Sequence, residues 1–247
     1  MLRKIFFSTG RDKTFRLRSK EVFRIEGLSD AVFAFSVSLL VASLEVPQTF
    51  AELKLIIQGA VPFFLTVALV FLFWYRQYIF FRRYGVNDFT TIVLNLVYLG
   101  VIVFYVYPLK FLFSLLISSW TGLNLFEKAK EQGLVVLSNQ DFPQLIILFS
   151  IGYFLIWLVI YFMHQHILQE TKELALNAYE LLFTQKEIRG ALWNATIGLV
   201  ALVFAFLNWE SMAGITYCFI PIVLLINHYL FGHAVKKIAS REPTLTG

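Results

Sequence analysis

Six apolar stretches of close to 20 residues each occupy most of this 247-residue chain. A helix needs about 20 apolar residues to cross about 30 Å of hydrocarbon, so each stretch is long enough to span a bilayer. Spans are predicted at Leu28–Val46, Leu55–Trp74, Thr90–Leu109, Leu145–His164, Gly190–Leu207 and Met212–Phe231. Hydrophobic residues make up 58% of the chain and charged residues only 15%, too few charges to cover a water-facing surface. The fold class is thus an all-α polytopic membrane protein with six transmembrane helices. It divides into a basic arm (1–27), a six-helix domain (28–235) and a short tail (236–247).

Charge placement sets the expected orientation. Of the 21 Lys and Arg residues, 17 fall in the N-terminal arm, after spans two and four, and in the tail. The other 4 are Lys54, Lys110, Lys128 and Lys130. Basic loops stay on the cytoplasmic side, so both termini are expected there. The net charge of +5 reads as topology signals and headgroup contacts; the basic residues form no module of their own for nucleic acid. The arm lacks the apolar core and cleavage site of a signal peptide, and the first span serves as its own insertion signal.

Little points to catalysis. The chain has no His-Glu-x-x-His, no phosphate-cradling glycine loop and no glycine-flanked serine nucleophile. His164 and His166 project on different sides of a helix and read as polar caps, as do His228 and His233. Cys218, the only cysteine, reads as a small buried packing residue. Gln165 to Arg189, with Glu170, Lys172, Glu173 and Glu180, reads as a solvated extension of span four. Ser118 to Gln144 reads as a partly helical, interfacial loop. No cofactor, metal site or enzyme activity is expected.

The first span is where chemistry concentrates. It opens on Arg24, Glu26 and Asp30, and Glu45 lies about 22 Å further on at helical rise. Acids are costly in hydrocarbon, so Asp30 must meet protein, water or a partner. Leu28, Ala31, Phe35, Ser38, Ala42 and Glu45 advance by three or four residues and share one stripe, with Leu39 on its flank. Around an axis, Phe35 and Leu39 would form apolar rings that shed water, and Ser38 a ring of hydroxyls able to replace part of an ion's hydration. The same stripe also fits lipid or helix contact, and periodicity leaves both readings open. Ser29, Ser36 and Ser43, every seven residues, read as a packing seam. A potassium filter of the Thr-Val-Gly-Tyr-Gly type is absent from the sequence.

Arg24, three residues, Leu28-Ser29-Asp30-Ala31, then Phe33-Ala34-Phe35 and Ser38-Leu39-Leu40-Val41 resemble the first helix of the transmembrane protein 175 family of lysosomal potassium channels and their prokaryotic relatives. Trp74, Leu94-Asn95-Leu96 and Pro108 are similar to shorter elements of that family. The resemblance covers about the first 110 residues. It implies a homotetramer of single six-helix units in which the first helix lines a central pore for monovalent cations. The constriction would fall on Phe35, Leu39 and Ala42, and potassium selection on Ser38, with potassium in transit there. Arg24, Ser29, Asp30, Trp74, Gln77 and Asn95 would position the helix. The family's phenylalanine is Leu28 here, and Gln77 with Tyr78 stands where histidine is expected, which puts a histidine-linked pH response in doubt. The implied partners are further copies of the chain and membrane lipid, and the implied location is a bacterial inner membrane. A small-solute or proton-coupled transporter is the alternative, supported by Asp30 and Glu45 and weakened by the lack of internal repeats.

Overall fold

The computed structural model describes residues 15–19, 21–42, 46–123, 125–126, 132–138 and 141–239. Among these are eight α-helices: α1 (Arg24–Ala42), α2 (Phe50–Gln58), α3 (Ala60–Tyr84), α4 (Phe89–Thr121), α5 (Asp141–Gln169), α6 (Ala178–Phe206), α7 (Glu210–Thr216) and α8 (Ile220–Ala239). A single 3-10 turn, Tyr217–Phe219, joins α7 to α8. Among the described residues, six helical segments are long and apolar enough to cross a membrane, with α7 and α8 acting as one.

The first observed span equals its predicted length but starts four residues earlier, and the other five are longer than predicted, for identifiable reasons. Gly59 caps α2 and breaks the second apolar stretch, so the spanning helix starts at Ala60. Pro62 sits in its first turn, where a missing amide proton costs nothing. The helix then continues through the aromatic run to Tyr84, and Gly85 closes it in the left-handed conformation (φ 62°). Asp88 caps α4, accepting from the Thr91 amide at 3.2 Å and its hydroxyl at 2.6 Å. Pro108 interrupts α4's ladder without ending the helix, which runs on to Thr121.

Two groups of helices share the bundle. One holds α1, α3 and α4; the other holds α5, α6 and α8; α4 packs on α5 to join them. At that seam the Tyr105 ring lies against Gly152, where any Cβ would overlap it, and Tyr105 Oη donates to the Phe149 carbonyl at 2.6 Å. Small side chains let α5 and α6 approach closely: Ala191, Ala195, Gly198, Ala201 and Ala205 line the buried face of α6. By contrast α8 is held more thinly, with Arg189 donating to Asn227 at 2.8 Å and Asn227 to the Lys186 carbonyl at 3.0 Å. Cys218, expected to be buried, is exposed on the 3-10 turn. Of the turn's neighbours it is Ala213 and Thr216 that face inward.

The reading of Gln165–Arg189 as a solvated extension fails at Glu180. This residue, third in α6, forms a capping box with Asn177, and its side chain is 0% exposed. The N-terminal arm reaches it: Arg16 and Arg18 place guanidinium nitrogens 2.9 and 2.6 Å from Oε2. The Arg16 amide donates to Oε1 at 2.9 Å. Hydrogen bonding to Glu180, then its charge, raises the Arg16 pKa above its ordinary value. The arm is pinned on its other side to α3, where Arg82 donates to the Ser19 carbonyl at 2.8 Å. Basic residues expected to be free for lipid are thus part of the fold. Among the described residues of the 118–144 loop, 122–123, 125–126 and 132–138 are turn or irregular.

Glu180→Ala strands two guanidinium groups and lowers stability by about 3 kcal/mol. Arg16→Ala costs far less, because that side chain is 56% exposed. Thermal unfolding in mild detergent gives both values. Burial resists the Asp88 charge, but hydrogen bonds from Thr91 and the nearby His166 together hold its pKa below the ordinary value. A depressed carboxylate stabilises fully above its unfolded pKa, about 3.9, and that contribution fades as pH falls through the lower folded value. The melting temperature of wild type therefore drops more steeply below about pH 4 than that of Asp88→Asn, measured over the same series.

Candidate functional site

The face that α1 buries follows from its small polar residues. Ile25, Ser29, Phe33, Ser36 and Leu40 recur every three or four residues and are buried against α3 and α4. Ser29 and Ser36 donate to carbonyls one turn back, Ile25 at 2.7 Å and Val32 at 2.8 Å, so neither hydroxyl proton is left unpaired in an apolar seam. Ser43, the third serine of that series, lies outside the described residues, as does Glu45.

A buried hydrogen-bond chain fixes this packing. Asn95 on α4 donates through Nδ2 to Ser29 Oγ at 3.0 Å, and Gln77 on α3 donates through Nε2 to Asn95 Oδ1 at 2.8 Å. Three helices are tied by two bonds between fully or nearly fully buried side chains. One turn away, Trp74 Nε1 donates to Asp30 Oδ1 at 2.7 Å, and the indole stacks on Tyr78 at 5.6 Å between centroids. Asp30 is exposed in the single chain, and the indole supplies the partner its charge requires. Ser29, Gln77 and Asn95 are thus brought together, and Asp30 with Trp74. Arg24 stands apart from both groups, exposed on the first turn of α1. Tyr98, which sequence reasoning passed over, belongs beside them: its ring meets Phe33 and its hydroxyl donates to the Phe73 carbonyl at 3.0 Å.

Opposite the buried face lies the predicted stripe. Leu28, Ala31, Phe35, Ser38 and Ala42 are all exposed in the chain taken alone, Phe35 at 57%, and Leu39 is half-buried on the flank. At about 100° per residue, the centre of this stripe sits roughly 120° around the helix from Ser36 and about 160° from Leu40. Ser38 donates to the Ala34 carbonyl at 3.0 Å. With its proton committed along the helix, the hydroxyl's acceptor capacity is what remains to offer outward. Phe35 and Ser38 are about 4.5 Å apart along the axis, so an apolar layer and a hydroxyl layer are adjacent. Among the described residues, no three His, Cys, Asp or Glu side chains are placed to hold a metal ion.

Comparison with known proteins agrees with this architecture. Residues 24–105 match the family described as the endosomal/lysosomal potassium channel TMEM175. A protein of Marivirga tractuosa named as a potassium channel is 33% identical over 248 aligned positions, covering 97% of this chain and 98% of the relative. The crystal structure of a variant of the potassium channel MtTMEM175, bound to a nanobody–MBP fusion, superposes with a TM-score of 0.77 at 32% identity. That match covers 91% of this chain and 98% of the other. A TMEM175 homologue from Chamaesiphon minutus, described as a lysosomal potassium-selective channel, shares the fold at a TM-score of 0.50 and 16% identity, over 85% of this chain and 96% of its own. The chain is an integral membrane protein of the channel class. It belongs to the TMEM175 family of potassium channels.

The buried chain makes a measurable prediction. Asn95→Leu removes both inter-helix bonds and leaves the Gln77 amide without its acceptor, costing about 1–2 kcal/mol at roughly 0.6–1 per bond in a membrane protein. Adding Gln77→Leu removes the orphaned amide and recovers part of the loss. If thermal midpoints in detergent show the double variant to be the weaker of the two, the chain does not hold α1.

Proposed function

We propose that four copies of this chain surround an axis lined by α1 and form a potassium-permeable channel. Phe35, Leu39 and Ala42 supply the hydrophobic constriction, and Ser38 the hydroxyl layer that favours potassium. The observation that carries this reading is the stripe itself: α1 packs one face on its own subunit and leaves the opposite, chemically graded face open. A narrow apolar ring excludes ions by dewetting when closed, and adjacent hydroxyls replace hydration when it is wide enough. Phe35 is the bulkiest side chain on the stripe, so the narrowest layer falls there, and Ala42 leaves the far mouth wider.

Orientation follows from charge. Arg82, Arg83, Lys186, Arg189, Lys236 and Lys237 gather at the end of the bundle where α1 and α6 begin and α3 and α8 finish. That end, with both termini, faces the cytoplasm under the positive-inside bias. A bacterial inner membrane is the proposed location, and further copies of the chain, lipid and monovalent cations are its partners.

Reversal potentials of the purified protein in liposomes test this reading. Potassium is expected to pass passively and in preference to sodium. Phe35→Ala raises conductance by widening the dry ring, and Ser38→Ala lowers potassium preference by roughly fivefold, about the worth of one hydrogen bond. Wild-type conductance and selectivity in both variants would mean that α1 does not face the pathway.

A further inference from the structure

The basic end of each subunit contains a cleft of about 620 Å³ between α3 and α8, floored by α5 and α6. Its interior is charged. Arg76 reaches Glu187 at 2.9 Å across the floor, with its guanidinium 4.8 Å over the Trp157 ring, and its Nε is buried without a hydrogen-bond partner. Lys186 Nζ stands 3.6 Å from the same carboxylate and 4.9 Å over Phe183. The exposed Lys236 also lines the cleft, so among the described lining residues Arg76, Lys186 and Lys236 face one acid, Glu187. The remaining wall is largely aromatic and aliphatic, including Phe80, Tyr98 and Phe231. Excess positive charge beside apolar wall, at the level where headgroups of one leaflet lie, is complementary to a phosphate attached to an acyl chain.

We infer that the cleft binds an anionic phospholipid from the leaflet at the basic end, its phosphate drawn by Lys186, Lys236 and Arg76 and its acyl chain lying along the aromatic wall. Gln77 lines the same cleft and begins the hydrogen-bond chain through Asn95 to Ser29. A bound lipid therefore touches the network that seats α1. This inference concerns a site away from the α1 stripe, and its test reads bound lipid, so it succeeds or fails whether or not the chain conducts potassium.

The full-length protein, delipidated in mild detergent, is mixed with equal amounts of dioleoyl phosphatidylglycerol and dioleoyl phosphatidylcholine, and retained lipid is counted by native mass spectrometry. Phosphatidylglycerol is expected to dominate, and Lys186→Gln and Lys236→Gln each to reduce its retention by about fivefold. Lys54→Gln, at the opposite end, leaves retention unchanged. Lys236→Glu, on the exposed rim, gives the same reduction without disturbing the floor should Lys186→Gln fold poorly. Equal retention of the two lipids, or retention indifferent to the Lys236 variants, overturns the site. Displacement of the lipid by millimolar inorganic phosphate would assign the cleft to a soluble anion and overturn the lipid assignment.

Discussion

Polar side chains inside a membrane bundle have to find partners among themselves, and the Ser29–Asn95–Gln77 chain is where that requirement shapes this protein. Both side chains are buried, so the amides of Asn95 and Gln77 find these partners only when α1, α3 and α4 adopt one register. Once Ser29 is held inward, the turn geometry of an α-helix dictates the rest of the segment. Ser36 and Leu40 must follow it into the seam, and Phe35 and Ser38 must point the other way. A helix with two apolar faces has no rotational preference of its own against lipid; these bonds supply one.

The two helix groups divide the work differently. In the α5–α6 pair, small residues allow backbone proximity, and dispersion between close-packed surfaces does the holding. The α1–α3–α4 group relies more on directional bonds: Trp74 to Asp30, Tyr98 to the Phe73 carbonyl, and the asparagine–glutamine chain. Close packing tolerates little displacement, whereas a set of hydrogen bonds accepts one alternative geometry if the donors can re-pair. The fold thus places its most closely packed pair away from α1 and its more specifically bonded group beneath it.

Much of this was legible in the chain. Six spans follow from hydropathy alone, and the stripe on α1 follows from a spacing of three and four residues. Span ends were harder, because hydropathy blurs where a cap decides: Gly59 starts α3 late, and Tyr84 ends it ten residues beyond Trp74. Glu180 was misread because a carboxylate among Glu170, Lys172 and Glu173 looks solvated; its partners lie more than 160 residues earlier, and only the fold brings Arg16 and Arg18 to it. The Asn177–Glu180 capping spacing was the available clue. Cys218 was assigned inward by composition, which cannot tell the side of a short helix turn. Arg24 carries the resemblance in sequence yet stands apart from the Ser29 chain, since its position on the helix points it away.

The docked arm has a mechanical corollary. Residues 15–19 are anchored both to the end of α3, through Arg82, and to the start of α6, through Glu180, only a few residues before α1 begins. A slide of one helix group past the other would shift both moorings, and the pull would arrive at the first turn of α1, so the helix that carries the exposed Phe35 and Ser38 is also the one tied to both halves at once.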